Sequence, residues 1–106
     1  METSSEQKPF VPASSVEYAR HSIVSREILR RDGGSVTLFA FDAGQQLSEH
    51  TTSFDALLSV VEGSATVFIN RQEYAVSEGE SIRLPAGLPH AVRADKSFKM
   101  MLTMVR

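Results

Sequence analysis

Residues 79–90 read GESIRLPAGLPH, and the reading of this stretch decides the fold. Gly79 follows an acidic residue at a point where a chain turning on itself needs positive φ, which costs glycine little. Ser81–Leu84 alternates in a way that suits a short strand. Pro85-Ala86-Gly87 then stops it, since proline lacks the donor a strand needs and glycine punctuates a loop. The loop returns the chain to a strand at His90, so a histidine stands where a loop re-enters a sheet.

The neighbouring segments repeat this grammar in both directions. Upstream, Ser35–Phe41 (SVTLFAF) is β-branched and aromatic, and Asp42-Ala43-Gly44 ends it. Ala56–Val61 closes at Glu62-Gly63, Ala65–Ile69 runs into Asn70-Arg71, and Glu73–Val76 runs into Glu78-Gly79. Asn70 tolerates the left-handed backbone of a tight hairpin, although Arg71 stands where glycine fits best. Downstream, Ala91–Arg93 is short and Phe98–Val105 is long. Short strands separated by turns every ~8–12 residues predict a sandwich or barrel. No ten-residue helical pattern follows Gly33, which argues against parallel βαβ units. The fold class is all-β.

The segment before Gly33 is ambiguous. Ser14-x-x-Glu17 has the form of a capping box, with Val16, Ala19 and Ile23 as a helical stripe. Ile23-Val24 and Ile28-Leu29 equally suit irregular strands. Residues 1–15, rich in Ser, Glu, Gln and Pro, read as a disordered or loosely packed tail, leaving 16–106 as one barrel domain.

Composition excludes several classes. The chain has 106 residues, room for a single core, with 42% apolar and 23% charged residues. Eleven basic and 13 acidic residues are scattered, for a formal charge of −2. The basic stripe of a nucleic-acid binder is missing. Without cysteine there is no disulfide, thiolate metal site or cysteine nucleophile. No apolar run is long enough to span a bilayer, and the start lacks the pattern of a secretory signal. A cytoplasmic protein with no membrane partner is expected.

Two segments together resemble the motifs of the cupin superfamily. Gly79, five residues, Pro85, one residue, Gly87, two residues and His90 reproduce the spacing of the second motif, and Gly44, His50 and Gly63 match the first. The resemblance covers residues 35–105. It implies a double-stranded β-helix, the jelly-roll barrel of the RmlC-like type, and two motif histidines brought together. The first motif is degenerate. Metal-binding members supply two histidines and a glutamate from it, where this chain has His50, Thr52 and Ala56; His90 is the one ligand of the second motif. Ala94 replaces a frequent asparagine.

Two imidazoles fall short of the three or more protein ligands typical of catalytic zinc or non-haem iron. His50 and His90 are the candidate metal ligands, and Asp55 is the carboxylate near enough in sequence to be a third. Alternation places 50, 52, 54 and 56 on one face and Asp55 on the other unless a bulge intervenes. Either His50 and His90 are a satisfied pair at a barrel mouth, or they form a polar pair that titrates near neutrality.

The leading expectation is a small-molecule-binding cupin of unassigned reaction, with His50, Thr52 and His90 as ligand contacts and catalytic residues unknown. The alternatives are a dioxygenase or isomerase dependent on Fe, Mn, Ni or Zn, and a non-enzymatic ligand-sensing module. His21 is expected in solvent, and Arg83 on a solvated strand position. Phe39, Val60, Phe68, Leu84 and Leu102 are the expected core, with Phe54, Met100 and Met104 also assigned to it. Ser22–Arg31 and Ser35–Phe41 carry more apolar surface than one barrel needs, which predicts a homodimer.

Overall fold

The computed structural model describes residues 7–106, in which nine strands form two sheets. The strands are β1 (Ile23–Arg31), β2 (Gly34–Phe41), β3 (Gln46–His50), β4 (Asp55–Glu62), β5 (Ser64–Ile69), β6 (Gln72–Ser77), β7 (Ser81–Leu84), β8 (His90–Arg93) and β9 (Phe98–Val105). One sheet runs β1-β2-β9-β4-β7 and the other β3-β8-β5-β6, with every pairing antiparallel. Sequence neighbours β2 and β3, like β7 and β8, lie in different sheets. That crossing between facing sheets makes a jelly-roll barrel. No helix among the described residues is long and apolar enough to cross a membrane.

Strand alternation sorts the side chains. On β4, Ala56, Leu58 and Val60 point inward and are buried, while Leu57 faces out. Opposite them stand Ala65 and Val67 of β5, Val76 of β6 and Val92 of β8. Phe41 and Phe98, paired across β2 and β9, stack at 4.6 Å and close one end of the barrel. Such a pair adds about 0.5–1.5 kcal/mol beyond the area it buries. Val60, Leu84 and Met100 join this core; Phe39, Leu102 and Met104 are half-buried against it. Phe68 is a correction to the expected core. It is half-buried, with the Arg93 guanidinium 5.3 Å from its ring centre, because its position on β5 faces away from Val67's side.

The ambiguous segment forms a strand from Ile23 rather than a helix. Strand alternation sends the consecutive residues Ile23 and Val24 to opposite faces, and a bulge further along, between Glu27 and Leu29, shifts the register. Ile23 packs on the barrel core, while Val24 and Ile28 join Val16, Leu38, Ala40 and Met101 on the outer face of the larger sheet. Residues 7–15, expected to belong to a loose tail, include a 3-10 turn at Pro12–Ser14. This stretch is tied to the barrel by Lys99 Nζ donating to the Ala13 carbonyl (2.6 Å) and Arg26 Nη1 donating to the Ser15 carbonyl (3.0 Å). Lys99 is only 7% exposed, and its charge also faces the Tyr18 ring at 4.8 Å. Residues 1–6 of the expected tail lie outside the described residues.

Turn chemistry follows the sequence. Gly63 (φ 78°) and Gly79 (φ 88°) take the positive φ expected of them, and Asn70 and Arg71 are both left-handed, at 51° and 68°. At Gly63 a Cβ would lie 2.9 Å from the Ser97 carbonyl oxygen, so space as well as conformation requires glycine there.

Candidate functional site

β3 ends and β8 begins at the same mouth of the barrel, and the register pairs His50 with His90. Their ring centroids are 4.4 Å apart at 68°, edge to face. His90 is 6% exposed and His50 is exposed, so the pair runs from the interior to the rim. His50 Nδ1 lies 2.9 Å from the Ser48 carbonyl and His90 Nδ1 lies 3.3 Å from the Leu88 carbonyl. A carbonyl oxygen only accepts, so each Nδ1 carries a proton, and Nε2 is the ring nitrogen left to face a ligand. Burial, and then the neighbouring His50, push the His90 pKa below its ordinary value, partly opposed by the bond to Leu88. His90 is thus held toward its neutral form.

The other residues of the segment 49–56, EHTTSFDA, behave differently from the expected alternation. Residues 51–54 are a loop between β3 and β4, so no strand carries 50, 52, 54 and 56 on one face. Thr52 Oγ1 accepts from the Phe54 amide (2.7 Å) and lies 3.2 Å from the Phe54 carbonyl, a local turn made by its own hydroxyl. Its carbonyl accepts from the Gly87 amide at 2.9 Å, which fastens this loop to Pro85-Ala86-Gly87. Phe54 is half-buried at the mouth rather than in the core. Ala56 does face inward, but through the register of β4, against Leu84 and Met104.

Asp55 is exposed, and its Oδ1 accepts from the Ala86 amide at 2.8 Å. Among the described residues, no group of three or more His, Cys, Asp or Glu side chains could hold a metal ion. Two imidazoles without a carboxylate do not fit a resident divalent ion of the kind the superfamily implies. His21 is exposed, with its amide donating to Asp42 Oδ2 at 2.7 Å, and Arg83 is exposed. Ala94 is buried in the core.

The family model for the cupin domain matches residues 37–106. The chain belongs to the cupin family. This cupin is similar to a solved protein of unknown function from Streptococcus pyogenes, at 32% identity and a TM-score of 0.90 over 95% of this chain and 89% of that one. A cupin 2 conserved barrel domain protein from Leptotrichia buccalis is 35% identical, with a TM-score of 0.86. That match covers 89% of this chain and 46% of the Leptotrichia chain. An uncharacterized protein of Streptomyces coelicolor is 33% identical over 64 residues, 60% of this cupin and 61% of that protein's length.

The mouth of this cupin contains more than its motif residues. A cavity of about 870 Å³ opens beside Phe54 and is lined by Arg30, Arg31 and Asp32 of the β1–β2 hairpin and by Met104 and Arg106 at the other end of the chain. In the sequence, Arg30 and Arg31 are simply neighbours among scattered basic residues. Their convergence with Arg106 follows from the β2–β9 pairing, which sets Gly34 opposite Val105, and no local spacing signals it.

Proposed function

We propose that this cupin binds a small organic molecule in the barrel mouth, with His50 and His90 as its polar contacts and Thr52 on the rim. The observation that carries this reading is the His50–His90 pair at 4.4 Å, one ring buried and one exposed, at the mouth of a barrel whose other end is filled. Two Nε2 acceptors side by side suit a ligand that donates hydrogen bonds, such as a hydroxyl or amide group. A neutral His90 avoids placing a desolvated positive charge against a hydroxyl or amide group, which is itself uncharged.

A metal-dependent dioxygenase or isomerase would need a third protein ligand, and Asp55, the one offered by the sequence, is engaged with Ala86. Binding without metal is therefore the better supported reading, and it suits either an unassigned reaction or a sensing role. The test is a screen of hydroxylated and amide-bearing fragments against metal-free protein purified without an affinity tag, read by NMR on the His90 ring and the Val92 amide. Ligands that shift these signals and lose binding in His90→Gln support the reading. Fragments that bind only after a divalent metal is added, or that ignore His90→Gln, would overturn it.

A further inference from the structure

Two exposed arginines at the mouth, Arg31 and Arg106, are held by backbone carbonyls rather than by carboxylates. Arg106 donates from Nε to the Asp32 carbonyl (3.0 Å) and from its amide to the Gly33 carbonyl (3.0 Å). Its guanidinium carbon sits 5.0 Å from the centre of the Phe54 ring. These contacts fix the guanidinium and leave both Nη nitrogens without a hydrogen bond among the described residues. Arg31 Nη1 donates to the Arg30 carbonyl at 3.2 Å, and that carbonyl carries no formal charge. Neither Arg31 nor Arg106 has a carboxylate within ion-pair distance among the described residues, whereas Arg30 is paired with Glu27. Asp32 is the one carboxylate side chain lining the cavity, against three guanidinium side chains, one of them paired with Glu27.

The rest of the lining is suited to a carbon skeleton. Phe54 stands at the wall, and Met104 continues inward to pack on the barrel core. Ser35, paired with Met104 across β2 and β9, adds one hydroxyl. A guanidinium fork with two free donors matches an oxyanion bidentately, and its stacking on an aromatic ring pre-orders it for that contact. The apolar wall favours an anion carried on a small organic body over a bare inorganic one.

We infer that this cavity takes the anionic head of a small organic acid, held by Arg31 and Arg106, with the ligand's apolar body against Phe54 and Met104. The inference goes beyond the histidine-pair reading, since His50, Thr52 and His90 are not among the residues that line this cavity. The same contacts serve a carboxylate or a phosphate ester, and the experiment separates the two.

The full chain is titrated at low ionic strength with benzoate, inorganic phosphate, phenyl phosphate and benzyl alcohol, following the Gly33 and Gly34 amides and Arg106 Nε–H by NMR. Saturable shifts with benzoate or phenyl phosphate are expected, weakened at least tenfold in Arg31→Gln and in Arg106→Gln and weakened by added salt. The tighter of the two identifies the head group. Benzyl alcohol, equal in body but uncharged, should leave these signals in place. Because Arg106 also ties down the hairpin, Arg31→Gln is the variant that keeps the test decisive if Arg106→Gln unfolds. Absence of shifts with both organic anions, or shifts indifferent to Arg31→Gln, overturns the inference, as does inorganic phosphate binding more tightly than both. His90→Gln distinguishes the two readings. Anion binding that survives it and vanishes in Arg31→Gln keeps the arginine site and removes the histidine contact. Neutral fragments lost only in His90→Gln, together with no anion binding, keep the barrel reading and remove this one.

Discussion

Ala56→Glu puts a carboxylate where the family's first motif has one, and the structure says what that should cost. Ala56 is 8% exposed, on the inner face of β4 between Leu84 and Met104. The larger side chain crowds that site and desolvates a carboxyl group, which together should destabilise the metal-free protein by about 2–4 kcal/mol. Facing sheets lie about 10 Å apart, a gap that a glutamate from β4 and an imidazole from β8 span together. With His50 and His90 adjacent, the variant then has two histidines and a carboxylate, enough for nickel, zinc or manganese. At a metal concentration a thousandfold above Kd, binding to the folded state should return about 4 kcal/mol. The assay is thermal unfolding of parent, Ala56→Glu and Ala56→Gln across a nickel titration. The glutamine variant reproduces the crowding without the charged ligand. Ala56→Glu should start with the lowest or near-lowest Tm and rise with nickel, while parent and Ala56→Gln stay nearly flat. A folded Ala56→Glu that ignores nickel would refute the convergence of residue 56 with the histidine pair, and a parent that responds equally would reveal a native third ligand.

Four further outcomes follow from the coordinates. Gly63→Ala should cost about 2–4 kcal/mol, measured by urea unfolding, because it adds left-handed strain to a 2.9 Å clash with the Ser97 carbonyl; a loss below about 1 kcal/mol would mean the turn relaxes freely. His90 has a folded-state pKa below its ordinary 6.5, so the unfolded chain binds the proton more tightly. Its contribution leaves stability intact above about pH 6.5 and lowers it as pH falls from there through the folded pKa, a slope that His90→Gln should remove from the urea midpoint. Phe68→Ala should cost clearly less than the about 3–5 kcal/mol of a fully buried phenylalanine, in the same urea assay. We also expect a homodimer through the β1 edge and the adjoining outer face, where Leu29 is 64% and Val105 51% exposed, and light scattering that reports a monomer at micromolar concentration removes it.

The fold was legible because its signals are local. Gly63, Gly79 and the Asn70-Arg71 pair mark turns by backbone conformation alone, and the strands between them alternate or are β-branched throughout. β3 escaped notice because Gln46–His50 is mostly exposed and offers a single inward apolar residue, Leu47. β1 stayed ambiguous because its apolar residues come in adjacent pairs, Ile23-Val24 and Ile28-Leu29, and the bulge at the second pair breaks the two-residue period. At the site, the meeting of His50 with His90 came from motif spacing, while the position of Thr52 did not. A threonine hydroxyl that bonds the amide two residues on breaks the strand, and period-2 counting cannot anticipate that. The arginine cavity was illegible because its residues come from sequence positions 30–35, 54, 104 and 106.

The loops that carry the histidines are held without any need of a metal ion. Thr52 carbonyl to Gly87 amide, Asp55 carboxylate to Ala86 amide and Pro89 carbonyl to Asn70 amide join three separate loops at one mouth. Each histidine is oriented by a carbonyl two residues before it, so its ring direction is set within its own strand end or loop. In metal sites the same kind of bond orients an imidazole toward the ion. Here it orients each ring through its Nδ1. Thr52 and Ala56 stand beside this hydrogen-bonded frame and supply neither an imidazole nor a carboxylate to it. Ala56 also avoids burying a carboxylate with no cation beside it, which would destabilise the barrel. Under the two proposals above, the histidine end takes a ligand's hydrogen-bond donors and the arginine end takes a negative charge.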